Sequence, residues 1–129
     1  MQRHELAAWL GDDHRLTDGQ ITHLLTIAEE IERRYPDSED EEERTAALVA
    51  AYRLMVEDSR EVVDDLADTL ARARIAEAEA LAGLRQVAIT IVRSGDRSAR
   101  GITSQQGFAV AAGVDRQTVV RDWLGARTR

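Results

Sequence analysis

Apolar residues in the first third of the chain recur at helical spacing. Ile21, Leu24, Leu25, Ala28, Ile31 and Tyr35 fall on one side of a helix that must end before Pro36. Thr17-Asp-Gly-Gln20 opens it as a capping box, with Thr17 at the N-cap and Gln20 three residues on. Upstream, residues 3–10 (RHELAAWL) form a short helix stopped by Gly11, a residue that tolerates the left-handed conformation at a helix end. Downstream, Ser38-Glu-Asp-Glu41 reads as a second capping box, and Leu48, Ala51, Tyr52 and Met55 mark the buried face of the helix it starts. Asp58-Ser-Arg-Glu61 is again box-like. It begins a final long helix carrying Val62, Leu66, Leu70, Ala73, Ala80, Leu84, Val87 and Ile91. Neither glycine nor proline occurs from Asp37 to Ala82, so the chain either turns tightly near residue 58 or runs as one over-long helix. The capping residues favour a helical hairpin. Apolar positions also repeat at sevens (Met55, Val62, Thr69, Ala76; Tyr52, Ser59, Leu66, Ala73, Ala80, Val87), but small and polar residues interrupt the seam. That pattern suits bundle packing and a homodimer equally.

Composition supports helix nearly everywhere. Ala, Leu, Glu and Arg dominate, alternating β-branched runs are few, and there is one proline. The predicted fold class is all-α: a helical bundle or hairpin body (1–83) followed by a smaller C-terminal unit (84–129). A chain of 129 residues can bury one real core, or a body plus a small appended unit. No run approaches the roughly eighteen apolar residues of a membrane span, and MQRHELAAWLGDD lacks the apolar core of an export signal. The absence of cysteine excludes disulfides, thiol catalysis and cysteine zinc sites. A cytoplasmic protein without membrane contact is the expectation.

Charge changes the picture more than composition does. The net charge of −7 opposes nucleic-acid binding on average, but the average hides a split. Residues 1–84 hold 9 Arg against 21 Asp/Glu, a balance of −12, whereas residues 85–129 hold 8 Arg against 3 Asp/Glu, a balance of +5. All 17 cations are arginine, so any phosphate or base contact would use the bidentate guanidinium fork.

A motif sits at the basic end. Thr103-Ser-Gln-Gln106 is a capping box for a helix running through Ala112; Gly113-Val114 makes a tight turn; Asp115 caps a second helix, Arg116 to Leu124, closed by Gly125. With Phe108-Ala109, Gly113-Val114, Val119 and Trp123 at these spacings, the segment resembles the helix-turn-helix family of bacterial and phage DNA-binding proteins. The resemblance covers roughly 22 residues strictly, and about 45 if Leu84 to Ile91 serves as a third, supporting helix. A small residue at Ala109 permits close helix approach, Gly113 permits the turn, and Phe108, Val114, Val119 and Trp123 close a small core. Arg116, Gln117, Thr118 and Arg121 are left on or near the outward face. The resemblance implies that they read bases in the major groove, Arg suiting guanine and Gln adenine. Arg97, Arg100, Ser104 and Gln105 would hold phosphates. Two residues depart from the pattern: Gly107 inside the first helix costs about 1 kcal/mol against Ala, and Asp122 puts a carboxylate in the reading helix. Leu6-Ala7 with Gly11 repeats the first half of the motif, but Asp12-Asp13 stand where an apolar turn residue belongs.

No catalytic constellation competes. His4, His14 and His23 are scattered without i,i+4 pairing, and surface histidines are a better reading than a metal site with Asp12, Asp13 or Asp18. Carboxylates cluster in runs and first turns, where solvation and helix capping explain them. There is no phosphate-binding glycine loop and no nucleophile elbow. The sequence therefore predicts a non-enzyme without cofactor or metal. Its expected partner is double-stranded DNA, bound as a homodimer in the manner of a transcriptional regulator. The competing expectation is a protein-binding adaptor whose acidic body, especially Asp37 to Glu43 and the Glu57 to Asp68 face, engages a basic protein.

Overall fold

The computed structural model describes residues 1–94 and 104–125, with the backbone alone at 93, 94 and 120. Its elements are α1 (Arg3–Leu10), α2 (Asp18–Arg34), a 3-10 turn (Ser38–Asp40), α3 (Glu41–Val56), α4 (Ser59–Ser94), α5 (Gln105–Ala112) and a π-helical segment (Thr118–Leu124). No strand occurs among the described residues, and the fold is all-α. The chain divides into two compact units, Met1–Thr69 and Leu70–Arg129, with the division inside α4.

In the first unit, local signals set the helix ends. Gly11 takes φ +76° and returns its N–H to the Ala7 carbonyl at 3.1 Å. Both halves of the Thr17–Gln20 box form: Thr17 Oγ1 accepts the Gln20 N–H at 3.2 Å, and Gln20 Oε1 accepts the Thr17 N–H at 2.8 Å. Helices α1, α2 and α3 then share one core of Leu6, Leu16, Leu24, Ala28, Ile31 and Leu48, with Ile21, Leu25, Tyr35, Ala51, Tyr52 and Met55 partly buried against it. Each fully buried Leu contributes on the order of 1.5–3 kcal/mol over leaving it in water. Trp9 meets Tyr52 edge to face at 6.2 Å.

The second predicted capping box does not form. Ser38 makes no capping bond; residues 38–40 turn as a 3-10 helix, with the Asp40 N–H on the Asp37 carbonyl at 3.1 Å. Arg44, one turn into α3, closes the corner instead. Its Nη1 donates to the carbonyls of Tyr35 (2.7 Å) and Asp37 (2.6 Å), a charge-assisted bond just past the C-terminus of α2.

The break expected near residue 58 lies at Glu57–Asp58, where Glu57 is extended. Asp58 Oδ2 accepts the Glu61 N–H at 3.1 Å and starts α4. Arg53 spans the break, binding Glu57 through Nε (2.8 Å) and Asp65 through Nη1 (2.7 Å). These bonds hold the Glu57 carboxyl below its usual range and push the Arg53 guanidinium up. Val62 is buried, but from Val63 to Gly83 every residue of α4 is exposed. Leu66 and Leu70, expected on a bundle-facing stripe, are 45% and 50% exposed. Among the described residues no helix is long and apolar enough to cross a membrane.

Candidate nucleic-acid interface

The C-terminal core draws on α4, α5 and the π-helical segment. Ala88, Phe108, Ala109, Val119, Trp123 and Leu124 are buried together, with Leu84, Ile89, Val92, Ala112 and Val114 partly buried around them. Buried alanines on α4 and α5 supply the small side chains that close helix packing needs. Phe108 and Trp123 meet edge to face at 6.4 Å.

Backbone chemistry fixes the turn. Gly113 adopts φ +70°, ψ +28°. Its N–H reaches the Val110 carbonyl at 3.2 Å and the Val114 N–H reaches the Ala109 carbonyl at 3.0 Å, the paired bonds of a Schellman motif. Val114 follows as the apolar residue that folds back on the core. Asp115 Oδ1 then accepts the Gln117 N–H at 2.8 Å and caps the second segment.

Three features differ from the sequence expectation. Ser104 is the N-cap of α5, its Oγ accepting the Gly107 N–H at 3.0 Å, while Thr103 lies outside the described residues. This register puts Gly107 in the first turn, where its backbone N–H is taken up by the cap. The second segment starts as α-helix at Arg116–Gln117 but winds as a π-helix over Thr118–Leu124. With bonds from i to i+5, residues four and five apart both fall near one side. Trp123 and Leu124 are therefore buried with Val119, whereas α-helical spacing accounts for Trp123 alone. Gly125 lies in a further helical turn rather than closing the segment.

Of the residues singled out as base-reading, Arg116, Gln117 and Arg121 are exposed and Thr118 is half-buried. Arg121 Nε lies 3.4 Å from Asp122 Oδ1, a long contact between exposed neighbours that leaves the guanidinium accessible. Ser104 is exposed, with its oxygen engaged in the cap, and Gln105 is half-buried. Arg97 and Arg100 lie outside the described residues. Residues 104–125 carry two arginines against two aspartates, so the positive surplus of this end belongs to the flanking residues, Arg85 among them. Sequence reasoning passed over two exposed residues here. Val110 stands 70% exposed on α5, and Arg85 lines an open groove of about 620 Å³ with Leu81, Gln86, Ile89 and Trp123.

A hollow of about 250 Å³ in the first unit, between Trp9, Ile31, Glu32, Arg44 and Leu48, falls below the ~300–1,000 Å³ of ordinary ligand pockets. Among the described residues no three His, Asp or Glu side chains stand together as metal ligands, and His14 Nδ1 accepts the Leu16 N–H at 3.2 Å. The chain matches no protein-family model, and comparison with curated proteins and with solved structures gives no match.

Proposed function

We propose that this chain is a sequence-specific, non-enzymatic DNA-binding protein of the cytoplasm, acting as a homodimeric transcriptional regulator through its C-terminal unit. One observation carries the reading: a short helical segment, held by the Asp115 cap, the Gly113 turn and the Val119–Trp123–Leu124 anchor, exposes Arg116 and Gln117 at its N-terminal end and Arg121 farther along. A rigid support under a few bidentate donors is what major-groove readout requires. Arg97 and Arg100 would add phosphate contacts from the flank, raising affinity without reading sequence.

The test is fluorescence anisotropy of the full chain against random-sequence duplex DNA across a salt series, followed by selection of a preferred site. Binding that weakens steeply with salt supports the reading. Arg116→Ala with Arg121→Ala should then remove site preference, at about 1–3 kcal/mol for each bidentate pair removed, while helical content is kept because both side chains are exposed. Failure of the full chain to bind DNA down to low salt would refute it. The exposed carboxylates of Glu41, Glu42 and Glu43 on the first turn of α3 would then become the surface to test against basic proteins.

A further inference from the structure

The long exposed stretch of α4 is not featureless. Reading from Val63, the positions spaced alternately three and four apart are Val63, Leu66, Leu70, Ala73, Glu77, Ala80, Leu84, Val87 and Ile91. This is a heptad seam with one charged member. The charged residues Asp64, Asp65, Asp68, Arg72, Glu79 and Arg85 all occupy the outward b, c and f positions. The flanking e and g positions between 67 and 83 are Ala67, Thr69, Arg74, Ala76, Leu81 and Gly83, mostly small. Val63, Leu66, Leu70 and Val87 are 58%, 45%, 50% and 41% exposed, whereas Leu84, partly packed on the C-terminal core, and Ile91 are half-buried. The surface lies on a single helix.

We propose that the occupant of this seam is the same seam of a second copy, running antiparallel, with the two-fold axis near Ile75. The choice follows from the pattern itself. In an antiparallel pair each a position faces a d position, and placing the axis at Ile75 pairs Val63 with Val87, Leu66 with Leu84, Leu70 with Ala80 and Ala73 with Glu77 of the other copy. Large residues meet small or matching ones throughout, and the symmetry repeats each layer. The charged residues of the seam and its flanks, Arg74 and Glu77, then collect at the axis as two arginines and two glutamates, a neutral cluster. A parallel in-register pair fails on the same residues: it sets Glu77 against Glu77 inside the seam, where like charges are costly.

The register has a geometric consequence that rests on the DNA-binding reading. Ala88, where α4 enters the C-terminal core, lies 13 residues from Ile75. At 1.5 Å per residue, the two copies of Ala88 sit about 39 Å apart along the paired helices. Two half-sites one turn apart on DNA are separated by roughly 34–36 Å. A parallel pair would bring the two Ala88 residues side by side.

Dimerisation and orientation are tested without DNA, so their failure is distinct from failure to bind it. Sedimentation of the full chain at micromolar concentration should give a dimer; a monomer overturns the proposal. Arg74→Glu alone and Glu77→Arg alone each gather four like charges at the axis and should weaken the dimer by at least about tenfold. The double variant restores neutrality and should recover it. A double variant that stays as weak as the singles overturns this seam as the interface, and the orientation is read from cross-linking. Because the chain has no cysteine, Leu70→Cys and Ala80→Cys can be made singly and mixed. A short bis-maleimide should link the mixture, 70 to 80, and neither variant alone; linkage of Leu70→Cys to itself overturns the proposal even where the charge variants fail to fold.

Discussion

At Gly113 the physics of one residue decides whether the C-terminal unit closes. Its φ of +70° lies where a Cβ is disfavoured, yet a Cβ built there meets nothing within 4 Å. The cost of Gly113→Ala is therefore conformational, about 1–2 kcal/mol, and Gly113→Asn should cost less because Asn tolerates this region. Thermal unfolding followed through the near-UV signal of Trp123, in a chain whose other tryptophan is removed by Trp9→Phe, should rank the three as Gly, then Asn, then Ala. An Ala variant as stable as the native chain would mean the turn is not left-handed. Leu124 gives a sharper residue-scale test, because it is 6% exposed only by virtue of the π winding. Leu124→Ala should lose about 2–5 kcal/mol and Trp123→Ala about 3–5 kcal/mol. A harmless Leu124→Ala would return the segment to α-helical winding.

At the scale of elements, the Arg53 clasp should make the α3–α4 break sensitive to acid. Binding to Arg53 lowers the Glu57 pKa, so its stabilising contribution is fully present above the unfolded-state value of about 4.3. That contribution is lost as pH falls through the lower, folded value. A carboxyl-carbon NMR titration should find Glu57 below the ordinary range in the native chain and back within it in Arg53→Gln. No change between the two would mean that Arg53 does not hold Glu57 in solution. The same scale shows what the sequence could reveal. Gly11, the Thr17–Gln20 box, Gly113 and Asp115 act on neighbours within a few residues, so their spacing alone reports their roles. Ser38 misleads because Arg44 reaches back nine residues to the Tyr35 carbonyl, a bond no local motif encodes. Leu124 escapes notice because π winding departs from the 3.6-residue period that marks buried positions in an α-helix. The apolar positions of α4 are legible as a seam, but exposure from 63 to 83 emerges only in the fold, since periodicity registers an apolar stripe and not what covers it.

For the molecule as a whole, charge is segregated along the sequence, and on the DNA-binding reading this separates two kinds of variant. The −12 of residues 1–84 and the +5 of residues 85–129 keep the net charge at −7, while residues 104–125 are themselves balanced. Attraction to the phosphate backbone would thus come from flanking arginines, and discrimination between sequences from Arg116, Gln117 and Arg121. Arg97→Ala with Arg100→Ala should weaken binding to all duplexes alike and flatten the log–log salt dependence by about 1.8, at ~0.9 for each phosphate no longer neutralised. Arg116→Ala with Arg121→Ala should chiefly erase the preference for the selected site over random DNA. Anisotropy titrations of both variants on both duplexes, at several salt concentrations, separate the two effects. If the Arg97 and Arg100 variant changed site preference while leaving the salt slope intact, the flank would be reading bases and the division of labour would have to be reversed.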